Sequence, residues 1–186
     1  MLKLDNISFS YGDKKIFEDF SLTISENDRI WLYGESGSGK TTLTRLLLGL
    51  EEAEKGQIVT DKEFKFSCVF QENRLLPFKT ALQNIMLVSD NTTLAKENLA
   101  ALGLGADINT PVNKLSGGMK RRVALARALS VDFDCLILDE AFTGLDEENI
   151  EIAVKQILKI TQNKPIILIS HSPLEAELLA AKKYEL

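Results

Sequence analysis

The sequence predicts an α/β fold with a mainly parallel central sheet, and three observations carry that expectation. Apolar runs of strand length alternate with amphipathic runs of helix length along the whole chain. Two of the strand-like runs, "CLILDE" and "KPIILISH", are almost uninterruptedly apolar, as strands covered on both faces are. The glycine-rich stretch "GESGSGKT" lies between a strand-like and a helix-like segment, the setting in which a parallel sheet presents a turn to an anion.

The elements follow in order. "LKLDNISFSY" and "KIFEDFSLTI" alternate apolar and polar residues with the period of a half-buried strand, and "RIWLYG" is a denser strand. A glycine-rich loop then runs into the helical "KTTLTRLLLGL". Short strands are expected at "GQIVT" and "FKFSCVFQ". From Glu72 to Thr110 the pattern is helical and more polar, with Pro77 and Pro111 marking turns. "EENIEIAVKQILKI" has helical spacing at Ile150, Val154, Ile157 and Leu158, and "SPLEAELLAA" is expected as a closing helix.

Bulk properties narrow the function. The 186 residues suffice for one compact domain with a sizeable core. The formal charge, 22 − 27 = −5, argues against a protein that grips nucleic acid by bulk electrostatics. Cys68 and Cys135 lie in apolar runs and read as buried thiols suited to a reducing cytoplasm rather than as a disulfide. The N-terminus lacks the basic start and apolar core of a signal peptide. No stretch approaches the roughly 18 apolar residues that span a bilayer, so work at a membrane requires another chain to supply the span.

Three stretches carry chemistry. "GESGSGKT", Gly34 to Thr41, fits the phosphate-binding pattern G-x-x-x-x-G-K-[ST] in its proper strand–loop–helix context. The backbone of Gly34, Glu35, Ser36, Gly37, Ser38 and Gly39 can wrap a phosphate with inward N–H groups, and the helix starting near Lys40 adds its positive dipole end. Lys40 should reach the β- and γ-phosphates, and the Thr41 hydroxyl should bind Mg²⁺, with Thr42 beside it. In "CLILDE", Asp139 at a strand end suits a metal ligand, and Glu140 next to it suits a general base for an attacking water. The only histidine, His171, also ends a buried strand, where parallel sheets gather their ligand-facing residues.

These motifs, in this order, resemble the nucleotide-binding subunit of ATP-binding cassette (ABC) proteins over essentially the whole chain. The resemblance assigns Tyr11 to stacking on adenine, Gly34 to Thr42 to Walker A, and Gln71 in "CVFQENRLLP" to the Q-loop, which contacts Mg²⁺ and water. It assigns Leu136 to Asp139 with Glu140 to Walker B and its catalytic glutamate, "TGLD" to the D-loop, and His171 to the switch histidine. It matches "LSGGM", Leu115 to Met119, to the signature sequence, whose Ser116, Gly117 and Gly118 complete the ATP site of a second cassette in a head-to-tail dimer. Ser116 also reads as an ordinary helix cap, and the two roles are compatible.

The implied fold is a P-loop NTPase core with a small antiparallel β subdomain and an inserted α-helical subdomain. The core and β subdomain fall at about 1–71 and 120–186 and the signature-bearing helical subdomain at about 72–119 of a single domain, 1–186. The segment from Lys40 to Gln71 is short for the family and implies a trimmed β subdomain, and no C-terminal regulatory domain is expected. Met119 stands where the signature ordinarily ends in Gln, Ala141 where Pro is common, and Ser172 where Asp often follows the histidine. None of these removes a catalytic group.

The implied activity is ATP hydrolysis with ATP and Mg²⁺ as ligands. The implied partners are a second cassette, separate transmembrane permease subunits and, for an importer, a solute-binding protein, with the chain cytoplasmic and peripheral on the inner face of the membrane. "ENRLLPFKTALQNI" resembles the segment after the Q-loop in importers of small solutes, with Leu75, Leu76, Pro77 and Phe78 as an apolar seat for a permease helix. A soluble cassette ATPase uncoupled from transport is the alternative. An ATP-gated scaffold without turnover is a third, and intact Glu140 and His171 speak against it.

Overall fold

The computed structural model describes residues 1–186. Strands β1 (Leu2–Tyr11), β2 (Lys14–Ile24) and β3 (Arg29–Tyr33) lead into helix α1 (Lys40–Leu47), then β4 (Lys55–Thr60) and β5 (Phe66–Val69). Helices α2 (Ala81–Ile85), α3 (Thr92–Ala101) and α4 (Gly117–Leu129) follow, with short 3₁₀ turns at Gly105–Asp107 and Val112–Lys114. The chain closes with β6 (Cys135–Asp139), α5 (Glu147–Ile160), β7 (Ile166–Ile169), α6 (Pro173–Leu178) and β8 (Lys182–Glu185). The strands form two sheets: an antiparallel one in the order β2-β1-β4, and a five-stranded one in the order β5-β6-β7-β3-β8 whose pairs are all parallel.

The continuous apolar runs become the central strands, as expected, and the pleat sends alternate residues into two cores. Leu136, Leu138, Ile166 and Leu168 enter the core shared with α2 to α6, while Cys135, Ile137, Ile167 and Ile169 enter the one beneath α1 and the antiparallel sheet. Both cysteines are free. Burial pushes the Cys68 thiol up to about 12, so it is inert at neutral pH.

Three details depart from expectation. The closing helix stops at Leu178, and the chain then turns through Ala180 at φ 50 into β8, which pairs with β3. β8 reads "KKYE" and is mostly exposed, the composition of a sheet edge rather than of a buried strand. Leu75, expected in an exposed patch, packs against the larger core, whereas Phe78 is 85% exposed and Leu76 46%. Finally, α4 runs unbroken across position 120, so the helical and nucleotide-facing parts share one helix.

No helix is long and apolar enough to cross a membrane.

Candidate active site

The parallel sheet positions the site. The carboxyl ends of β3, β5, β6 and β7 deliver the loop at Gly34–Gly39, then Gln71, Asp139 with Glu140, and His171 to one edge, where an open α/β sheet binds its ligand. They surround one cavity of about 380 Å³ with Tyr11, Ser36, Gly37, Gly39, Lys40, Thr41 and Thr42 in its lining. Gly34, Glu35 and Ser38 form the outer side of the same loop and line a neighbouring depression. Ser116, Gly117 and Gly118 line neither.

The loop is built around its glycines. Gly39 has φ 107, and a methyl group there would lie 2.7 Å from Phe17 Cζ and 2.9 Å from Ile16 Cγ2. Only glycine lets the chain turn beneath β2 into α1. The Lys40 ammonium arches back over the loop and donates to the carbonyls of Gly34 at 2.6 Å and Glu35 at 2.8 Å. Tyr11, 43% exposed, stands edge-on to Phe9 with ring centroids 4.9 Å apart, which holds the ring at the cavity mouth.

The acidic wall is more constrained. Burial first, and the neighbouring Glu140 charge second, push the Asp139 carboxyl above the ordinary carboxylate range. Glu140 sits at φ 49, a left-handed conformation that costs a non-glycine residue roughly 1–3 kcal/mol and persists only where its surroundings hold it. Its N–H donates to the Ile169 carbonyl at 2.9 Å. His171 Nε2 lies 3.8 Å from Glu140 Oε1, too far for a direct hydrogen bond and suited to a substrate or water oxygen between them. Behind His171, the Trp31 indole N–H donates to the Ser170 carbonyl at 2.9 Å.

The cavity offers a hydroxyl at Thr41, a carboxylate at Asp139 and a side-chain amide oxygen at Gln71, all hard oxygen donors. No group of three His, Cys, Asp or Glu residues converges anywhere to cage a metal. One carboxylate with neutral oxygens is the donor set of an Mg²⁺ ion that keeps most of its shell for phosphate and water. The residues present fit that ion.

The segment from Ser116 to Gly118 lies apart from this cavity. Ser116 caps α4, its hydroxyl accepting from the Met119 N–H at 3.2 Å. A side chain at Gly117 would meet nothing within 4 Å. Nothing in this chain therefore asks for glycine at the first position of α4, where Ala would favour the helix by about 1 kcal/mol.

Sequence reasoning missed several residues. Lys14 and Ile16 line the cavity. Glu175 is buried with Oε2 unpartnered, and burial holds its carboxyl above the ordinary range. Arg121, 2% exposed, lies directly behind the acidic wall. Lys14 was legible as a cation three residues after Tyr11. The two buried charges had no sequence signal.

The chain is similar to known proteins. The family model described as "ABC transporter" matches residues 17–143. An uncharacterised ABC transporter ATP-binding protein of Haemophilus influenzae is 31% identical over all of this chain and 82% of its own. An aliphatic sulfonates import ATP-binding protein of Paraburkholderia xenovorans is 40% identical over 91% of this chain and 70% of its own. Among solved structures, the dimeric post-hydrolysis state of the ATP-binding cassette MJ0796, bound to ADP and Pi, superposes with a TM-score of 0.83 at 25% identity, over 96% of this chain and 91% of that one.

Proposed function

The chain belongs to the ABC transporter family as an ATP-binding cassette, and on that premise we propose that it is the ATP-hydrolysing subunit of a small-solute importer. The observation that carries the ATPase reading is the single cavity in which the phosphate loop, Asp139, Glu140 and His171 meet. The chain's relatives include an aliphatic sulfonates import ATP-binding protein, and the exposed Phe78 and Leu76 offer a membrane-subunit helix an apolar seat on the helical subdomain. A solute-binding protein would complete an importer of this kind.

ATP is the substrate. Tyr11 stacks on the adenine, the amides of Ser36 to Gly39 hold the phosphates, and Lys40 turns from the Gly34 and Glu35 carbonyls toward the β- and γ-phosphates. Thr41, Asp139 and Gln71 would hold Mg²⁺, which supplies charge neutralisation across the phosphates when bound. Glu140 takes a proton from the attacking water as its oxygen bonds to the γ-phosphorus, the bond from that phosphorus to the β–γ bridging oxygen breaks, and ADP leaves with the bridging oxygen while the γ-phosphoryl group departs as phosphate. His171 orients the γ-phosphate oxygen, and most of the acceleration comes from positioning and preorganised charge.

The site is half a site. Ser116, Gly117 and Gly118 lie outside the cavity of their own chain, and the open space at Gly117 suits the close approach of a phosphate bound to a second copy. ATP thereby joins two cassettes, and its hydrolysis lets them part.

Gly117→Asp tests this arrangement. A Cβ at Gly117 has open space around it, and an acidic residue in the first turn of α4 favours the helix dipole by about 0.3–1 kcal/mol, so the variant should melt no lower than the parent and bind ATP in its own loop. Facing the partner's γ-phosphate it should abolish ATP-driven dimerisation by size-exclusion chromatography. An undiminished dimer would remove the signature from the site. The transport reading is tested by tagging a Glu140→Gln variant and purifying it from native membranes with ATP and Mg²⁺. A polytopic membrane protein should co-purify. A soluble partner alone would point instead to a cassette ATPase uncoupled from transport.

A further inference from the structure

The five N–H groups of Arg121 reach six acceptors, one N–H being shared, and these acceptors lie on two segments of the site. Its Nη1 donates to the Phe70 carbonyl at 2.6 Å, the Gln71 carbonyl at 3.2 Å and Asn73 Oδ1 at 3.1 Å. Its Nη2 donates to the carbonyls of Asp139, at 3.0 Å, and Glu140, and its Nε to that of Ala141 at 2.8 Å. One planar group thus fastens three successive carbonyls at the tip of β6 and two at the end of β5. It projects from the second turn of α4, whose first residues are the signature glycines. Arg127, two turns on, donates to the carbonyls of Arg74 at 2.7 Å and Asn73 at 3.0 Å, so α4 grips the loop after β5 twice.

Burying a guanidinium is costly, and desolvation lowers its pKa, with Asp139 and Glu140 opposing. Core filling alone would be met by an apolar side chain. Three of the bonds fall instead on the backbone of residues that line the cavity, Gln71, Asp139 and Glu140. Glu140 is also the residue held at φ 49, a conformation that has to be over-determined by neighbours to persist. The fork geometry of Arg matters here, because a lysine ammonium cannot hold in-plane acceptors on both sides at once.

We propose that Arg121 is a positioning residue that joins the signature helix to the Gln71 loop and to the backbone of Glu140, so that docking of α4 on the partner's nucleotide sets the place of the catalytic carboxylate. This rests on the reading of Glu140 as the base and of the signature as the partner-facing half-site. The Arg121 side chain does not line the cavity. It acts through the carbonyls it holds, and displacement of α4 is carried by them to both loops without any movement of the phosphate-binding loop itself.

The test is kinetic, on the intact chain. Arg121→Lys should bind a fluorescent ATP analogue with full stoichiometry and an affinity within about twofold of the parent, while kcat falls about 10- to 100-fold. In a Glu140→Gln background the same substitution should cost nothing further, because the group it positions is already gone. A purely structural role would lower the binding stoichiometry or melting temperature and leave the kcat of the folded fraction unchanged. A fully folded Arg121→Lys with kcat within twofold of the parent overturns the proposal, as does an equal further loss on top of Glu140→Gln. Should Arg121→Lys fail to fold, Asn73→Ala decides. It removes one acceptor on the loop side and should lower kcat by about threefold at unchanged ATP affinity, and an unchanged kcat overturns the link to the loop. Wild-type turnover by Glu140→Gln alone would be a different failure, that of the base assignment.

Discussion

Glu140→Gln is expected to bind ATP as the parent does, to form a longer-lived dimer, and to lose about 10²- to 10⁴-fold in turnover. The substitution keeps the shape of a side chain whose backbone is pinned by Arg121 and by the Ile169 carbonyl. It removes the negative charge and, with it, the capacity to accept a proton. At about 1.4 kcal/mol per tenfold, the loss corresponds to about 3–6 kcal/mol of transition-state stabilisation. Removing a negative charge beside Asp139 also relieves the repulsion that helps hold that carboxyl above its ordinary range, so nucleotide with its cation should be held no more weakly. Single-turnover hydrolysis followed by phosphate release is the measurement. Parent-like turnover would hand the proton to another group, and the base assignment would fall.

Lys40→Ala should act on the opposite step. A charged hydrogen bond to phosphate is worth about 1.5–3 kcal/mol, so ATP affinity measured by calorimetry should weaken by about ten- to a hundredfold. Part of that loss would come from the loop. The ammonium ties Gly34 and Glu35 together, and without it the loop must be ordered by the ligand at the ligand's expense. Thermal stability should hardly change, because Lys40 opens α1 and Ala is at least as good a helix former. Unchanged affinity would exclude Lys40 from phosphate binding.

What the sequence disclosed follows burial and periodicity. β6 and β7 were legible because a strand covered on both faces needs apolar residues throughout, and α5 because its apolar face repeats at helical spacing. β8 was not, because a short polar strand at a sheet edge carries no periodic apolar signal, and its pairing with β3 is decided by neighbours far away in the chain. In the site, the glycine-rich loop, the strand-end acids and the histidine were legible because each sits next to a recognisable element. Arg121 was hidden: Lys120, Arg121 and Arg122 follow one another, and only the packing of α4 decides which of the three turns inward. The exposed reach of Phe78 against the half-buried Leu75, three residues away, was undetermined for the same reason.

The bond from Trp31 to the Ser170 carbonyl has an experimental consequence. It is the only tryptophan in the chain, so all indole emission comes from one ring fixed to the residue before His171. Any shift of that turn as the two halves of a dimer close alters the ring's hydrogen bond and its exposure to water. The protein therefore carries an intrinsic optical label at the end of β7, and stopped-flow emission on unlabelled protein can time closure and reopening separately from the release of phosphate.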